Sequence, residues 1–176
     1  MTPMILGLAR GSVRLVPHQI GWRQAFESEK RQLESALGPS ARKVEQVGST
    51  AVPDLVAKPI IDIAIAVDSF DQIQAWPQAL AVHGYEYFGD RYGWKDHFFA
   101  KGPDVLRTFY LHVVEERGER WRNYLLFRDR MRASPELRHE YQSLKLAAAA
   151  LKTTRDVYTA AKEEFIKQVL GTRDAG

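Results

Sequence analysis

The sequence contains no cysteine, which excludes disulfide bonds and any metal site built on thiolates, zinc fingers included. It also lacks an apolar run of the roughly 20 residues that a membrane-spanning helix needs. The first residues do not follow the order of a secretory signal peptide, in which basic residues precede an apolar stretch. These absences predict a cytoplasmic protein that does not enter a membrane.

Neither sign of charge is in large excess. The chain carries 25 lysine and arginine residues against 22 aspartate and glutamate residues, and its formal net charge is +3. That balance suits an anionic ligand such as a nucleotide but is too small to predict nucleic-acid binding. Residues 117–132 hold six arginines among aromatic side chains, yet acidic residues interrupt them and the aromatic spacing favours a packed helical face. We therefore expect a small phosphate-bearing partner rather than nucleic acid.

The 176 residues suffice for one domain, and no repeat or low-complexity linker divides them, so we predict a single domain over residues 1–176. Its first part, about residues 12–116, mixes helical and strand patterns. The run KPIIDIAIAV predicts a strand buried on both faces, and DHFFAKGPDVLRTFYLHVVE predicts a hairpin that turns at KGPD. Three helices follow over about residues 118–170. This order of elements predicts an α+β fold.

One acidic residue, Asp62, interrupts the buried strand pattern. An unpaired carboxylate costs several kcal/mol to bury, so Asp62 requires a cation, a metal ion or a set of hydrogen-bond donors. Shortly upstream, Gly48, Ser49 and Thr50 form a turn whose backbone amides and two hydroxyls suit a phosphate group. An ordinary helix cap is the alternative explanation of this turn. The turn and Asp62 are therefore the first candidates for a ligand site.

A Gly-Ser turn followed by an aspartate on a hydrophobic strand resembles the signature of the nucleotidyltransferase superfamily. The similarity is closer to one branch, the GrpB family of bacterial proteins. Six segments occur in the order and approximate spacing of that family and span residues 13–166: VRLVPHQIGW, VGSTAVPDLVAKPIIDIAIAV, FFAKGP, RTFYLHVV, LLFRDRMRASPELRHEYQSLK and YTAAKEEFI. The chain departs from the family pattern at Gln46, where histidine is usual, and at Asp54, where glycine is usual.

The resemblance implies a nucleotidyltransferase-like mixed β-sheet with flanking helices and a C-terminal helical portion. It also implies a GrpB-like protein that binds an NTP with Mg²⁺ and transfers a nucleotidyl group to an unknown acceptor. The resemblance implies that the Gly-Ser turn holds the phosphates and that Asp62 is the catalytic acid and holds Mg²⁺. Positions in the sequence add further candidates: Thr50 joins Gly48 and Ser49 around the phosphates, and His112 is a second candidate Mg²⁺ ligand if its strand lies beside that of Asp62. Lys58, Arg107 and Lys162 are candidates to balance phosphate charge, and Tyr158, one helical turn before Lys162, is a candidate to stack a base.

The metal-binding pattern is incomplete in this sequence. Active nucleotidyltransferases place a second carboxylate two residues after the first, because side chains alternate on a strand, but that position is Ala64 here. The next acid of the same parity, Asp68, lies roughly 20 Å further along an extended strand, too far to share an ion. The alternative function is therefore a catalytically inactive module of the same fold that binds a nucleotide, a coenzyme A-related compound or a protein.

Several candidate residues also have structural explanations. His112 is expected either to bind metal or to form a hydrogen bond to Asp62 in the core. Asp62 itself could pair internally with Lys58 or Arg107. Tyr158 and Lys162 stand one helical turn apart, which also fits a packed tyrosine beside a solvated lysine.

Overall fold

The computed structural model describes residues 3–151 and 155–171. Its centre is a five-stranded sheet in the order β1-β2-β5-β4-β3, in which only β2 and β5 run parallel. The strands are β1 Lys43–Val47, β2 Ile61–Val67, β3 Tyr85–Asp90, β4 His97–Lys101 and β5 Phe109–Glu115. The predicted KGPD hairpin is confirmed, since β4 and β5 pair in antiparallel register.

Within residues 3–151 and 155–171, five α-helices flank the sheet, and the last three follow β5 with no further strand in that part of the chain. They are α1 Gly21–Leu37, α2 Trp76–Ala81, α3 Glu119–Ala133, α4 Pro135–Ala150 and α5 Arg155–Gly171. The Ser134 hydroxyl accepts a hydrogen bond from the backbone of Leu137, which caps α4. No helix in the described part of the chain is long and apolar enough to cross a bilayer.

The two faces of β2 have different neighbours, because its side chains alternate. Ile61, Ile63 and Ile65 point to one face and pack in the main core with Trp22 and the other buried side chains of α1. The opposite face carries Asp62, Ala64 and Ala66. The two alanines pack against the α3 side of the molecule, in a small cluster with Val47, Val114 and Trp121. Asp62 thus belongs to the face of the sheet on which the helical portion packs.

A second core joins the helical portion to the connection between β1 and β2. Val52 and Leu55 of that connection are fully buried against side chains of α3, α4 and α5, among them Phe127, Tyr141 and Phe165. The three helices therefore hold the segment that begins with the Gly-Ser-Thr turn. A cleft between the sheet and the helices opens beside this segment, at the end of β2 that carries Asp62.

Candidate functional site

The turn after β1 depends on Gly48. This residue has φ +68° and ψ −167°, a backbone conformation that is essentially restricted to glycine. A Cβ atom at this position would lie 2.6 Å from Oδ2 of Asp62. The strand register explains the proximity, because Val47, the last residue of β1, pairs with Asp62 on β2. Glycine therefore lets the turn and the acidic side chain approach each other.

The two hydroxyls of the turn have different environments. Thr50 is buried, and Nε2 of Gln46 donates to its carbonyl at 3.2 Å and lies 3.4 Å from its hydroxyl. Ser49 is only partly buried and receives a hydrogen bond from a lysine, Lys145. Both residues line the cleft, and the hydroxyl of Ser49 is the one that contacts the lysine.

Lys145, on α4, is a buried cation that the sequence analysis missed. Its side chain is 1% exposed, and its Nζ donates to Oγ of Ser49 at 3.1 Å and to the carbonyl of Val56. Among the side chains that the structure describes, none of the carboxylates forms an ion pair with it. Burial and the nearby charge of Lys162 lower the pKa of Lys145 to about 7.

Two further lysines lie around the ring of Tyr158 at the same cleft. Lys58 Nζ is 4.7 Å from the ring centroid, and Lys162 Nζ is 5.5 Å from it. Tyr158 is only 2% exposed, so it is packed among these cations and leaves no open face for the predicted base stacking. We call the cavity of about 250 Å³ that these residues border the lysine pocket; its lining includes Ser49, Lys58, Asp62, Arg91, Lys145, Tyr158 and Lys162.

Asp62 has His112 as its partner. Its side chain is 31% exposed, and Oδ1 lies 3.6 Å from Nε2 of His112. The other ring nitrogen, Nδ1, lies 3.3 Å from both carboxylate oxygens of Asp96, a buried residue that also accepts a hydrogen bond from the Tyr124 hydroxyl. Asp62 is therefore not the partner of Lys58 or Arg107, and His112 joins two carboxylates.

The charges in this cluster follow from the same contacts. Burial alone would lower the pKa of His112, but the Asp96 carboxylate and the hydrogen bond to Asp62 outweigh it and raise that pKa to about 9. Burial would likewise raise the pKa of Asp96, yet the charge of His112 and its hydrogen bonds hold it below the usual range. At neutral pH the cluster is an imidazolium between two carboxylates.

The residues around Asp62 do not fit a two-metal centre. The described residues contain no group of three or more His, Cys, Asp or Glu side chains arranged to hold a metal ion. Ala64 is buried and offers no ligand, and the register places it opposite His112 on β5. Histidine binds metal through an unprotonated ring nitrogen, but both nitrogens of His112 face carboxylates. In this structure Asp62 and His112 contact each other, and their shared ligation of Mg²⁺ stays a prediction.

Arg107 lies outside the cleft. Its guanidinium contacts Glu86 at 2.7 Å, Asp104 and the Gly102 carbonyl at 2.6 Å. These contacts satisfy its charge at the β4–β5 connection, and it lines neither cavity beside Asp62. The structure does not bring Arg107 into the predicted phosphate site.

A larger cavity, of about 600 Å³, lies between the turn and the helices and shares Ser49, Asp62 and Lys162 with the lysine pocket. Its helical wall is mostly apolar and includes Phe127, Tyr141, Ile166 and Leu170; we call it the apolar cavity. Trp94 stands at its margin, 46% exposed, with the guanidinium of Arg120 at 4.4 Å from its ring. The whole cleft therefore has a cationic part and an apolar part that meet at Asp62.

Sequence reasoning missed Lys145, Asp96, Arg91 and Trp94. A usable signal existed for Lys145, which follows Tyr141 by four residues and precedes Ala148 by three, so all three share the buried face of α4. A cation on an apolar stripe is unusual enough to be a site candidate. For Asp96 the local sequence holds no such signal, because its contact with His112 depends on the position of β4 beside β5.

Replacing Gly48 by alanine tests the approach of the turn to Asp62. We expect Gly48→Ala to lower the free energy of unfolding by about 2 kcal/mol, measured by urea denaturation, because of backbone strain and the contact with Asp62. Gly38→Ala is the matched control: Gly38 has a similar φ of +61°, but a Cβ there would meet nothing within 4 Å. Equal losses in the two variants would show that the approach to Asp62 imposes no constraint.

The lowered pKa of Lys145 predicts a pH-dependent stability. The pKa of Lys145 is about 7 in the folded protein and has its ordinary value of 10.5 in the unfolded chain. Between these two pH values the unfolded chain binds the Lys145 proton and the folded chain does not, so the free energy of unfolding rises with pH. The slope is at most about 1.4 kcal/mol per pH unit. We therefore expect the free energy of unfolding of the wild type, relative to Lys145→Met, to increase over this range in urea titrations. A difference that stays constant with pH would contradict the burial of an uncompensated charge.

Comparison with known proteins agrees with the geometry. The family described as GrpB protein matches residues 12–172. The glutamate-rich protein GrpB of Alkalihalophilus pseudofirmus is 34% identical over 171 residues, which cover 94% of this chain and 98% of that protein. The crystal structure of the conserved protein GrpB from Enterococcus faecalis superimposes with a TM-score of 0.80 at 30% identity, over 89% of this chain and 97% of that one.

A more distant structure bears on the fold alone. The structure of Cid1 in complex with its short product ApU matches with a TM-score of 0.51 at 12% identity, over 73% of this chain and 41% of that one. The predicted mixed sheet with flanking helices is thus confirmed as a nucleotidyltransferase-like fold. The extent of the matches to both GrpB proteins shows that this chain belongs to the GrpB family.

Proposed function

We propose that this protein binds a nucleotide, or another phosphate-bearing small molecule, with its phosphates in the lysine pocket. The observation that carries the proposal is the buried ammonium group of Lys145, which borders the pocket and has no carboxylate partner among the described side chains. Without a counter-ion, burial favours the neutral amine over the ammonium ion, and an anion bound in the adjoining cavity restores the proton, so the site favours an anion as the missing partner.

The other groups of the pocket suit phosphate oxygens. Lys58 and Lys162 both contact the ring of Tyr158, and Arg91 lines the same cavity. The Ser49 hydroxyl, which already accepts a hydrogen bond from Lys145, can donate its own proton to an anion. Ammonium groups, a guanidinium and a hydroxyl are the side-chain groups that proteins use to hold phosphate. Their convergence on one cavity supports several phosphate charges rather than one.

The apolar cavity supports a ligand larger than inorganic phosphate. It shares Ser49, Asp62 and Lys162 with the lysine pocket, so one molecule can extend from one cavity into the other. Its aromatic and aliphatic wall, with Trp94 at the margin, suits a flat or apolar group. A nucleotide combines such a group with phosphates, and so does coenzyme A.

Nucleotidyl transfer is the second candidate, favoured by the fold and by the exposed position of Asp62 where the two cavities meet. In it, Asp62 is the catalytic residue, and the protein uses an NTP with Mg²⁺ on an acceptor. Ala64 and the pairing of Asp62 with His112 weigh against this chemistry, because two-metal transfer needs further ligands beside the first carboxylate. Binding is therefore the function that the geometry supports best.

Thermal melting with ATP, GTP, CTP, UTP and coenzyme A, each with and without Mg²⁺, tests the proposal. A ligand at 100 times its dissociation constant adds about 2.7 kcal/mol to the native state, which raises the melting temperature measurably. We expect at least one compound to raise the melting temperature of the wild type and of the control variant Lys30→Met, since Lys30 lies on α1 and pairs with Glu34. The same compound should not raise the melting temperature of Lys145→Met.

Two outcomes would contradict the proposal: no shift with any compound, or an equal shift in Lys145→Met. Pyrophosphate release from the shifting NTP separates the two candidates. Binding without release supports the binding function, and Mg²⁺-dependent release that disappears in Asp62→Asn supports nucleotidyl transfer.

A further inference from the structure

The cluster of Asp62, His112, Asp96 and Tyr124 stands where the fold would place metal-binding acids. Asp62 begins the face of β2 that points into the cleft, and the next position on that face is Ala64. On the neighbouring strand β5, the residue opposite Ala64 is His112. An alanine and a histidine thus stand on this part of the sheet beside the single carboxylate of Asp62.

The carboxylates that face its two ring nitrogens favour the imidazolium form of His112. A neutral imidazole has one N–H donor and one nitrogen lone pair. Nε2 faces Oδ1 of Asp62 at 3.6 Å, and Nδ1 faces Asp96 at 3.3 Å. A lone pair directed at either carboxylate would be repelled, so a ring with two N–H groups satisfies both. Such a ring has no lone pair left for a metal ion.

Asp96, Tyr124 and Phe98 hold the His112 ring in position. Asp96 is 6% exposed and accepts a hydrogen bond from the Tyr124 hydroxyl, and the Tyr124 hydroxyl also lies 3.0 Å from Nδ1 of His112. The ring of Phe98 packs against the imidazole with centroids 5.3 Å apart. These contacts place a fixed positive group next to Asp62, at the junction of the two cavities.

The cations of the lysine pocket supply the charge that phosphates require. Lys58, Lys145, Lys162 and Arg91 all line it. Basic side chains thus outnumber carboxylates in this lining. The pocket therefore differs from sites in which a few carboxylates bind Mg²⁺ and the ion in turn binds the phosphates.

We propose that this protein binds its phosphate-bearing ligand in the metal-free form, with the His112 ring, whose two nitrogens face carboxylates, serving in place of a metal ion as the cationic partner of Asp62. This inference rests on the proposed function, since it concerns how the same pocket binds its ligand. His112 acts here as a binding residue, and Asp96 and Tyr124 are positioning residues.

Isothermal titration calorimetry of the full chain with ATP, in excess EDTA and in excess Mg²⁺, tests the inference. We expect the affinity in EDTA to equal or exceed that in Mg²⁺. His112→Asn removes the positive ring and releases Asp62, so we expect it to weaken binding in EDTA about tenfold and to make Mg²⁺ restore part of the loss. The matched control His139→Asn, at an exposed position of α4, should behave as the wild type.

The metal itself provides a second readout that does not depend on the variant folding. Mn²⁺ is added to the wild type without nucleotide and bound ion is measured by electron paramagnetic resonance, with no bound Mn²⁺ expected. Specific Mn²⁺ binding, or ATP binding that weakens about tenfold or more in EDTA, would overturn the inference and leave the proposed function standing. If neither ATP nor any other nucleotide nor coenzyme A binds with or without Mg²⁺, the proposed function fails and the inference fails with it.

Discussion

The ammonium group of Lys145 connects the helical portion of the fold to the sheet at the ligand site. It is carried by α4, and it donates to Ser49 and to the carbonyl of Val56, both on the connection between β1 and β2. Val52 and Leu55 of the same connection fill the core between the helices. The turn, the cleft and the relative position of the helices therefore depend on a buried amine that forms no ion pair with the described carboxylates. Burial favours its neutral form, and binding an anion favours the protonated form.

Because side chains alternate along β2, one face of the strand stabilises the core and the other carries the acid at the ligand cleft. Its isoleucines fill the main core with α1, while its other face exposes Asp62 at the cleft and packs two alanines against the α3 side. Small residues at positions 64 and 66 let the helices approach the sheet, and Ala64 offers no carboxylate for a two-metal centre. Asp62 instead has the cationic side chain of His112 as its partner.

Local patterns in the sequence were sufficient for the elements and for part of the site. The apolar run around Asp62 and the KGPD turn are signals between near neighbours, and the structure agrees with both. The Gly-Ser turn was found in the same way. Arg107 was assigned to the site because a cation on the hairpin could reach it, but nearby acids bind it elsewhere. Contacts between distant segments, such as Lys145 with Ser49 and Asp96 with His112, depend on how helices and strands pack.

The central claim is that the ligand supplies the missing counter-ion of Lys145, and proton uptake on binding measures this directly. Near pH 8 the Lys145 side chain is mostly neutral in the free protein, because its pKa is about 7, and a bound anion raises that pKa. Calorimetry is performed with the nucleotide that gives the largest melting shift, in buffers of different ionisation enthalpy. We predict that binding takes up most of one proton in the wild type. Binding without proton uptake would contradict the account.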